Sequence, residues 1–274
     1  MLVRIGSRGS RLALTQAEQA AATLRRSGVE IAFVPITTAG DRDRTRPFGQ
    51  IGERGVFVKE IEEALLAGRI DVAVHSAKDM TSTDAEGLAV GAYLERDDPR
   101  DALVGASSIE PGMRIGTASA RRRAQLLALE PTLSIEPLRG NVDTRLRKQR
   151  ERGLDAVVLA ACGLDRLGLA GEIGARIDPD VMLPEAAQGA LALQVRRGEE
   201  ELVAHADHEP TRSRVEPERL CVATIGAGCL APVAAHHDGT TLHALIADAD
   251  GAWIERRSGD DPLALAHELV ALAK

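Results

Sequence analysis

Ile70-Asp71-Val72-Ala73-Val74-His75-Ser76-Ala77-Lys78-Asp79 runs from apolar, partly β-branched residues straight into polar and chemically capable ones. The apolar half reads as a buried strand of an α/β sheet, since such strands are covered on both faces. The polar half, His75, Ser76, Lys78 and Asp79, then falls at the strand's carboxyl end, where open α/β sheets place their ligands. An ammonium and a carboxylate on adjacent residues at such a place suit a charged transition state.

Outward from this stretch, the pattern strand–helix–strand–helix–strand appears twice. In the first half, strands over residues 2–6, 29–37 and 70–75 alternate with helices over 11–26 and 56–67. In the second half, strands over 113–117, 133–138 and 155–160 alternate with helices over 120–129 and 141–151. The letters repeat as well. Arg4-Ile5-Gly6-Ser7 matches Arg114-Ile115-Gly116-Thr117, and Ile70-Asp71-Val72-Ala73-Val74 matches Leu154-Asp155-Ala156-Val157-Val158. Two matches in the same order predict two similar doubly wound α/β lobes. Glu95-Arg96-Asp97-Asp98-Pro99-Arg100-Asp101 has a linker's composition. A second crossing is expected near Leu183-Pro184-Glu185, with a helix over 190–206 returning to the first lobe. The predicted first lobe is thus 1–95 plus 190–207 and the second 100–184. A small α+β domain over 212–274 follows, with a hairpin over 241–257 and a last helix opened by Asp261-Pro262. Residues 38–55 are glycine- and charge-rich and read either as a mobile lid or as a plain surface loop.

Composition bounds the function. Of 274 residues 44% are hydrophobic and 27% charged, as in an ordinary globular protein. Only 2% are aromatic, which argues against base-stacking surfaces. Net charge is −7, yet Arg121-Arg122-Arg123 stand together. A basic cluster in an acidic chain is either a pocket for a small anion or a solvated helix face, and not a nucleic-acid surface. Three cysteines (Cys162, Cys221, Cys229) with no CxxC spacing argue against a disulfide framework or a zinc site. No signal-type apolar core opens the chain, and no run approaches the ~20 apolar residues a membrane span requires. A cytoplasmic protein with no membrane partner is expected.

Several turns carry anion-binding chemistry. Gly6-Ser7-Arg8-Gly9-Ser10 and Gly116-Thr117-Ala118-Ser119 each join a strand to a helix, whose N-terminal N–H groups attract carboxylate or phosphate. The hydroxyls of Ser7, Thr117 and Ser119 serve there as ligand donors or simply as helix caps. Arg8, Arg121, Arg122, Arg139, Arg145 and Arg166 all follow expected strand ends. Guanidinium groups bind carboxylates bidentately, so a crevice holding this many fits a ligand with many carboxylates. Gly226-Ala227-Gly228-Cys229-Leu230-Ala231-Pro232 sets one thiol among small residues, either to let a bulky group approach or as an incidental packed cysteine.

Eight motifs in order make the chain resemble the porphobilinogen deaminase (hydroxymethylbilane synthase) family over essentially its whole length. They are RIGSRGSRLAL (4–14), GERGVFVKEIEEALL (52–66), DVAVHSAKD (71–79), ERDDPRDAL (95–103), GTASARRRAQL (116–126), LRGNVDTRL (138–146), LPEAAQGALAL (183–193) and GAGCLAP (226–232). The resemblance implies two lobes like those of periplasmic binding proteins plus a cysteine-bearing third domain. It implies a transferase of tetrapyrrole and heme biosynthesis that condenses four porphobilinogen molecules head to tail, releasing ammonia, and hydrolyses the chain to hydroxymethylbilane. The implied cofactor is a dipyrromethane held by a thioether to Cys229. Asp79 is implied as the catalytic residue, hydrogen-bonded to pyrrole N–H groups and stabilising the positive charge that develops as ammonia leaves. Lys78, Ser76, Thr117, Ser119, Arg121, Arg122, Arg139, Gly140 and Arg145 are implied at the cofactor, and Arg8, Gln16, Phe57 and Arg166 at the substrate. The resemblance also implies a monomer.

Some positions depart from the common pattern, among them Arg11, Met80-Thr81, Ala118, Ala227 and Leu230. Asp143 and Asp165, where glycine and lysine are frequent, add negative charge near a carboxylate site. Two rivals share the two-lobed plan: a periplasmic solute-binding protein and an effector-sensing regulator. Asp79 with Cys229 weighs against the first, and the lack of a helix-turn-helix pattern against the second.

Overall fold

Strand β1 (Leu2–Arg8) pairs in parallel with β2 (Glu30–Ile36) and with β3 (Val72–Ser76). In this computed structural model residues 1–38, 58–81, 83–226 and 232–273 are described. By internal contacts the chain divides into two units, Met1–Asp97 with Gly189–Ser213 and Asp98–Gln188 with Arg214–Lys274.

The first unit is built on a five-stranded sheet of order β2-β1-β3-β10-β4, where β4 is Leu88–Tyr93 and β10 is Leu191–Arg196. β10 runs antiparallel to both of its neighbours. Helices α1 (Arg11–Leu24) and α2 (Lys59–Leu66) bury Ala17, Ala20, Ala21 and Leu24, and Ile61, Ala64 and Leu65, against it. Ser10 caps α1 by accepting from Ala13 N, which settles where the helix begins.

The second unit repeats this design. Its five-stranded sheet has the order β7-β6-β8-β5-β9, built from β5 (Asp101–Val104), β6 (Arg114–Gly116), β7 (Ser134–Glu136), β8 (Ala156–Ala160) and β9 (Ile173–Ile177). β6 is parallel to β7 and β8, and β5 is antiparallel to β8 and β9. Helices α3 (Ala120–Leu129), α4 (Val142–Arg152) and α5 (Ala161–Arg166) follow the strands.

The echo in the letters is an echo in hydrogen bonds. Arg4 N donates to Asp71 Oδ2 at 2.9 Å, and Arg114 N donates to Asp155 Oδ2 at 2.7 Å. Gly6 and Gly116 leave room on the sheet for Ile70 and Leu154, the residues just before those aspartates, and a Cβ at either glycine would run into them.

Helix α6 (Glu209–Ile225) contains the boundary between the units. It leads to a three-stranded antiparallel sheet, β11 (Val233–His237), β12 (Leu242–Ala247) and β13 (Ile254–Gly259), and to α7 (Pro262–Leu272), capped by Asp261. Cys221, Val222, Val233, Leu242, Leu265 and Leu269 form a core here. Ala124 and Leu183 pack with Ala234, Leu245 and Ala247.

Two expectations are corrected. Residues 190–206 do not form a helix, because 191–196 is strand β10, followed by single 3₁₀ turns at Glu200–Leu202 and Ala204–Ala206. Alanine and leucine favour helix locally, but burial of Leu191–Val195 between β3 and β4 makes sheet pairing the stronger term. The charged segment 95–101 does not end as an exposed linker either, since Asp101 opens β5 and is fully buried. The expected lid beyond Thr38, with Phe57, and the cysteine loop around Cys229 lie outside the described residues.

Candidate active site

In the first unit the carboxyl end of β3 passes into a 3₁₀ turn, Ala77–Asp79. Ala77 N donates to Ala190 O at 3.0 Å, and Ala77 and Met80 are 2% and 3% exposed. Asp79 is exposed between these two buried anchors, so the backbone under it is fixed while its carboxylate stays accessible. Ser76 and Lys78 are half-buried beside it. Arg8, expected in the turn after the first strand, is the last residue of β1 and half-buried. Gln16 is buried on α1.

His75 belongs to another environment. It is buried, and its Nε2 lies 3.1 Å from Gln194 Oε1, while Gln194 Nε2 donates to Glu62 Oε1 at 2.9 Å. Since the Gln194 amide nitrogen is used on Glu62, its oxygen accepts from His75, which assigns the proton to Nε2. Strand alternation sends His75 to the face opposite Ser76.

In the second unit the helix-opening hydroxyls act as caps. Ser119 accepts from Arg122 N at 3.4 Å, and Thr117 Oγ1 accepts from Ser119 N at 3.2 Å. Arg121 and Arg122, in the first turn of α3, are 3% and 5% exposed. Arg122 donates from Nε at 3.2 Å and from Nη2 at 2.8 Å to Asp101 Oδ1, and from Nη1 to Val158 O at 3.0 Å. Arg121 Nη1 lies 2.8 Å from Asp101 Oδ2 and donates to Leu183 O at 2.7 Å, while its Nε reaches Glu185 at 3.3 Å. Gln188 Nε2 completes the group at 2.9 Å from Asp101 Oδ1. Burial by itself would raise the Asp101 carboxyl, but Arg121 and Arg122 outweigh it and hold the group well below the usual carboxylate range. Among the described residues, Arg121 Nη2 is buried and has no hydrogen-bond partner.

Further along the same unit, Gly140 takes φ 120°, and a Cβ there would strike Thr144. Arg145 Nε donates to Gly140 O at 2.7 Å, and Lys148 Nζ to Arg139 O at 3.0 Å, which ties down the turn carrying Arg139. Arg139 and Arg166 are half-buried. Asp165, beside Arg166, is held by Arg176 Nη2 at 2.7 Å, and Arg176 also reaches Asp98 at 2.8 Å. The extra negative charge at Asp165 is thereby offset by a neighbouring guanidinium.

The structure thus gathers Ser76, Lys78 and Asp79 in the first unit, and Thr117, Ser119, Arg121 and Arg122 in the second. The sequence reading missed Asp101, Glu185 and Gln188, although each lies in a quoted motif. The available signal was the apolar run Ala102-Leu103-Val104 directly after Asp101, which starts a strand at the end of the supposed linker. Burial pushes the Cys221 thiol up to about 11, and Cys162 is also buried, as expected for packed thiols.

The family profile for porphobilinogen deaminase, dipyromethane cofactor binding domain, matches residues 3–204. A porphobilinogen deaminase from Roseiflexus sp. (strain RS-1) is 45% identical, covering 97% of this chain and 95% of that protein. One from Syntrophotalea carbinolica is 44% identical, covering 96% and 88%. Among solved structures, the second substrate binding domain of a putative amino acid ABC transporter from Streptococcus pneumoniae is 14% identical with a TM-score of 0.48, covering 75% of this chain and 91% of that one.

Proposed function

The chain belongs to the porphobilinogen deaminase family, and from that premise we propose which of its residues carry the family's reaction. The enzyme is a hydroxymethylbilane synthase: it deaminates and condenses four porphobilinogen molecules head to tail on a dipyrromethane primer, then releases hydroxymethylbilane by hydrolysis. The primer supplies the nucleophilic pyrrole carbon from which the chain grows. Our reading is that Cys229 would hold it through a thioether.

The observation that carries the site assignment is Arg121 Nη2, a buried donor left without a partner. Such donors are rare in folded proteins, and a carboxylate is the acceptor a guanidinium edge fits best. Pyrrole units bearing acetate and propionate groups would fill this requirement, with Arg139, Arg145, Arg166, Arg8 and Lys78 binding further carboxylates. By the family resemblance, Gln16 and Ser76 of the first unit and Thr117, Ser119 and Gly140 of the second are proposed ligand contacts, as is Phe57. Asp79 would accept pyrrole N–H groups and stabilise the cation that forms as ammonia departs. Its exposure and the buried Ala77 and Met80 on either side support that role, because the carboxylate is accessible on a turn held by its neighbours.

Among the described residues no helix is long and apolar enough to cross a membrane. A cytoplasmic monomer acting on a free small molecule is part of the proposal. The test is direct. Purified protein mixed with porphobilinogen is expected to release one ammonia per molecule consumed and to yield a linear tetrapyrrole. Tight binding without ammonia release would instead indicate a solute-binding protein.

A further inference from the structure

Asp101 is a fully buried carboxylate that gathers two arginines and an amide, and the reaction as set out above gives it no task. We propose that Asp101 is a positioning residue for ligand binding. It fixes Arg121 and Arg122 in one orientation, so that the guanidinium edges it does not hold face a carboxylate of the pyrrole chain. The proposal rests on the family reading and goes beyond it to a residue at the base of the site.

Three features support this role. First, Arg121 and Arg122 are adjacent and buried, so their like charges would drive the two guanidinium groups apart without an anion between them. Asp101 contacts both, one with each carboxylate oxygen. Second, each arginine has another fixed support on a backbone carbonyl, Leu183 O for Arg121 and Val158 O for Arg122. A guanidinium pinned at two points cannot swing, and its remaining N–H directions are set in advance. Third, an ion cluster that served folding alone would satisfy all its donors. This one leaves Arg121 Nη2 without a partner. Gln188 Nε2, which also donates to Pro99 O at 2.7 Å, steers the carboxylate from a third side. The same carboxylate thereby ties the first turn of α3 to β5 and to the turn before Gly189.

The experiment uses full-length protein produced without cofactor, in cells that make no porphobilinogen. Wild type, Asp101→Asn, Arg121→Gln and the double variant are each mixed with porphobilinogen. The rate at which the denatured protein gains the mass of a dipyrromethane is followed, and thermal midpoints report folding. Asp101→Asn is expected to load at least tenfold more slowly. The double variant is expected to load no more than about twofold more slowly than Arg121→Gln, because residues that act as a unit are non-additive. Loading of folded Asp101→Asn at the wild-type rate overturns the proposal. Penalties that multiply in the double variant overturn it too, since Asp101 would then act independently of Arg121. Should Asp101→Asn fail to fold, Gln188→Met replaces it: this charge-neutral change must slow loading at least threefold, and unchanged loading counts against the proposal. If wild type itself gains no mass, the family reading fails first, and that outcome is distinct from wild type and Asp101→Asn loading equally.

Discussion

Asp79, the carboxylate proposed for catalysis, contributes little to folding. Its neighbours Ala77 and Met80 are buried and hold the turn, while the carboxylate itself is exposed. Asp79→Asn should therefore shift stability by less than about 0.5 kcal/mol. Turnover should fall by ~10²–10³ or more, as when a preorganised electrostatic partner is removed. A stopped assay for product will check this, and activity within a factor of about three of wild type would remove Asp79 from its role. Arg139→Leu should cost on the order of 2–5 kcal/mol of binding by leaving a ligand carboxylate unpaired. Partly elongated chains should then accumulate on the protein, and normal elongation at low substrate would make Arg139 a surface residue. Asp101 behaves differently, because its charge is part of the fold. Its carboxyl is depressed in the native state, so the stability it contributes is fully present above about pH 4 and is lost as pH falls below that. The urea midpoint of wild type should drop as pH falls from about 4 toward 2, and that of Asp101→Asn should drop less steeply over the same range. The charged residues proposed for the site drew notice in the sequence because they follow expected strand ends. Asp101 did not, because a carboxylate is buried only once Arg121, Arg122 and Gln188 have been brought to it from distant parts of the chain.

At the scale of elements, periodicity was a good guide wherever strand and helix had different jobs. Both βαβαβ runs, the hairpin of β12 and β13, and the last helix are where their patterns indicate. It failed at β10, whose Ala-Leu-rich letters suit a helix but whose place between β3 and β4 is a tertiary fact. It also passed over β11, whose two histidines hide a buried strand. Gly189 makes the turn into β10. It has φ 93°, and a Cβ there would meet the carbonyl of Asp97. Gly189→Ala is expected to destabilise the protein by about 1–3 kcal/mol through strain in the left-handed region and displacement of that backbone. Chemical denaturation will measure it, and a change below about 0.5 kcal/mol would mean that the turn relaxes freely. Gly198, also at positive φ but with open space around it, is the control expected to cost less.

For the molecule as a whole, the same order and polarity of strands appears in both sheets, with the antiparallel strand supplied after the lobe in one case (β10) and before it in the other (β5). The sequence announced this repeat through the Arg-Ile-Gly echo and through an aspartate followed by small and β-branched residues, because the same backbone contacts favour similar letters twice. Asp79, the carboxylate proposed for catalysis, belongs to the first unit and the buried arginine pair to the second. The covalent anchor proposed for the primer, Cys229, lies outside the described residues, and the sequence alone singles it out. The account therefore turns on Cys229. The mass of the purified, denatured protein should exceed that of its sequence by one dipyrromethane, and the excess should map to the peptide containing residues 226–232. Cys229→Ser should lose both the added mass and the activity, since a hydroxyl is a far poorer nucleophile than a thiolate near neutral pH. Cys162→Ser should keep both. An active wild-type protein whose mass equals the bare chain would contradict the covalent primer outright.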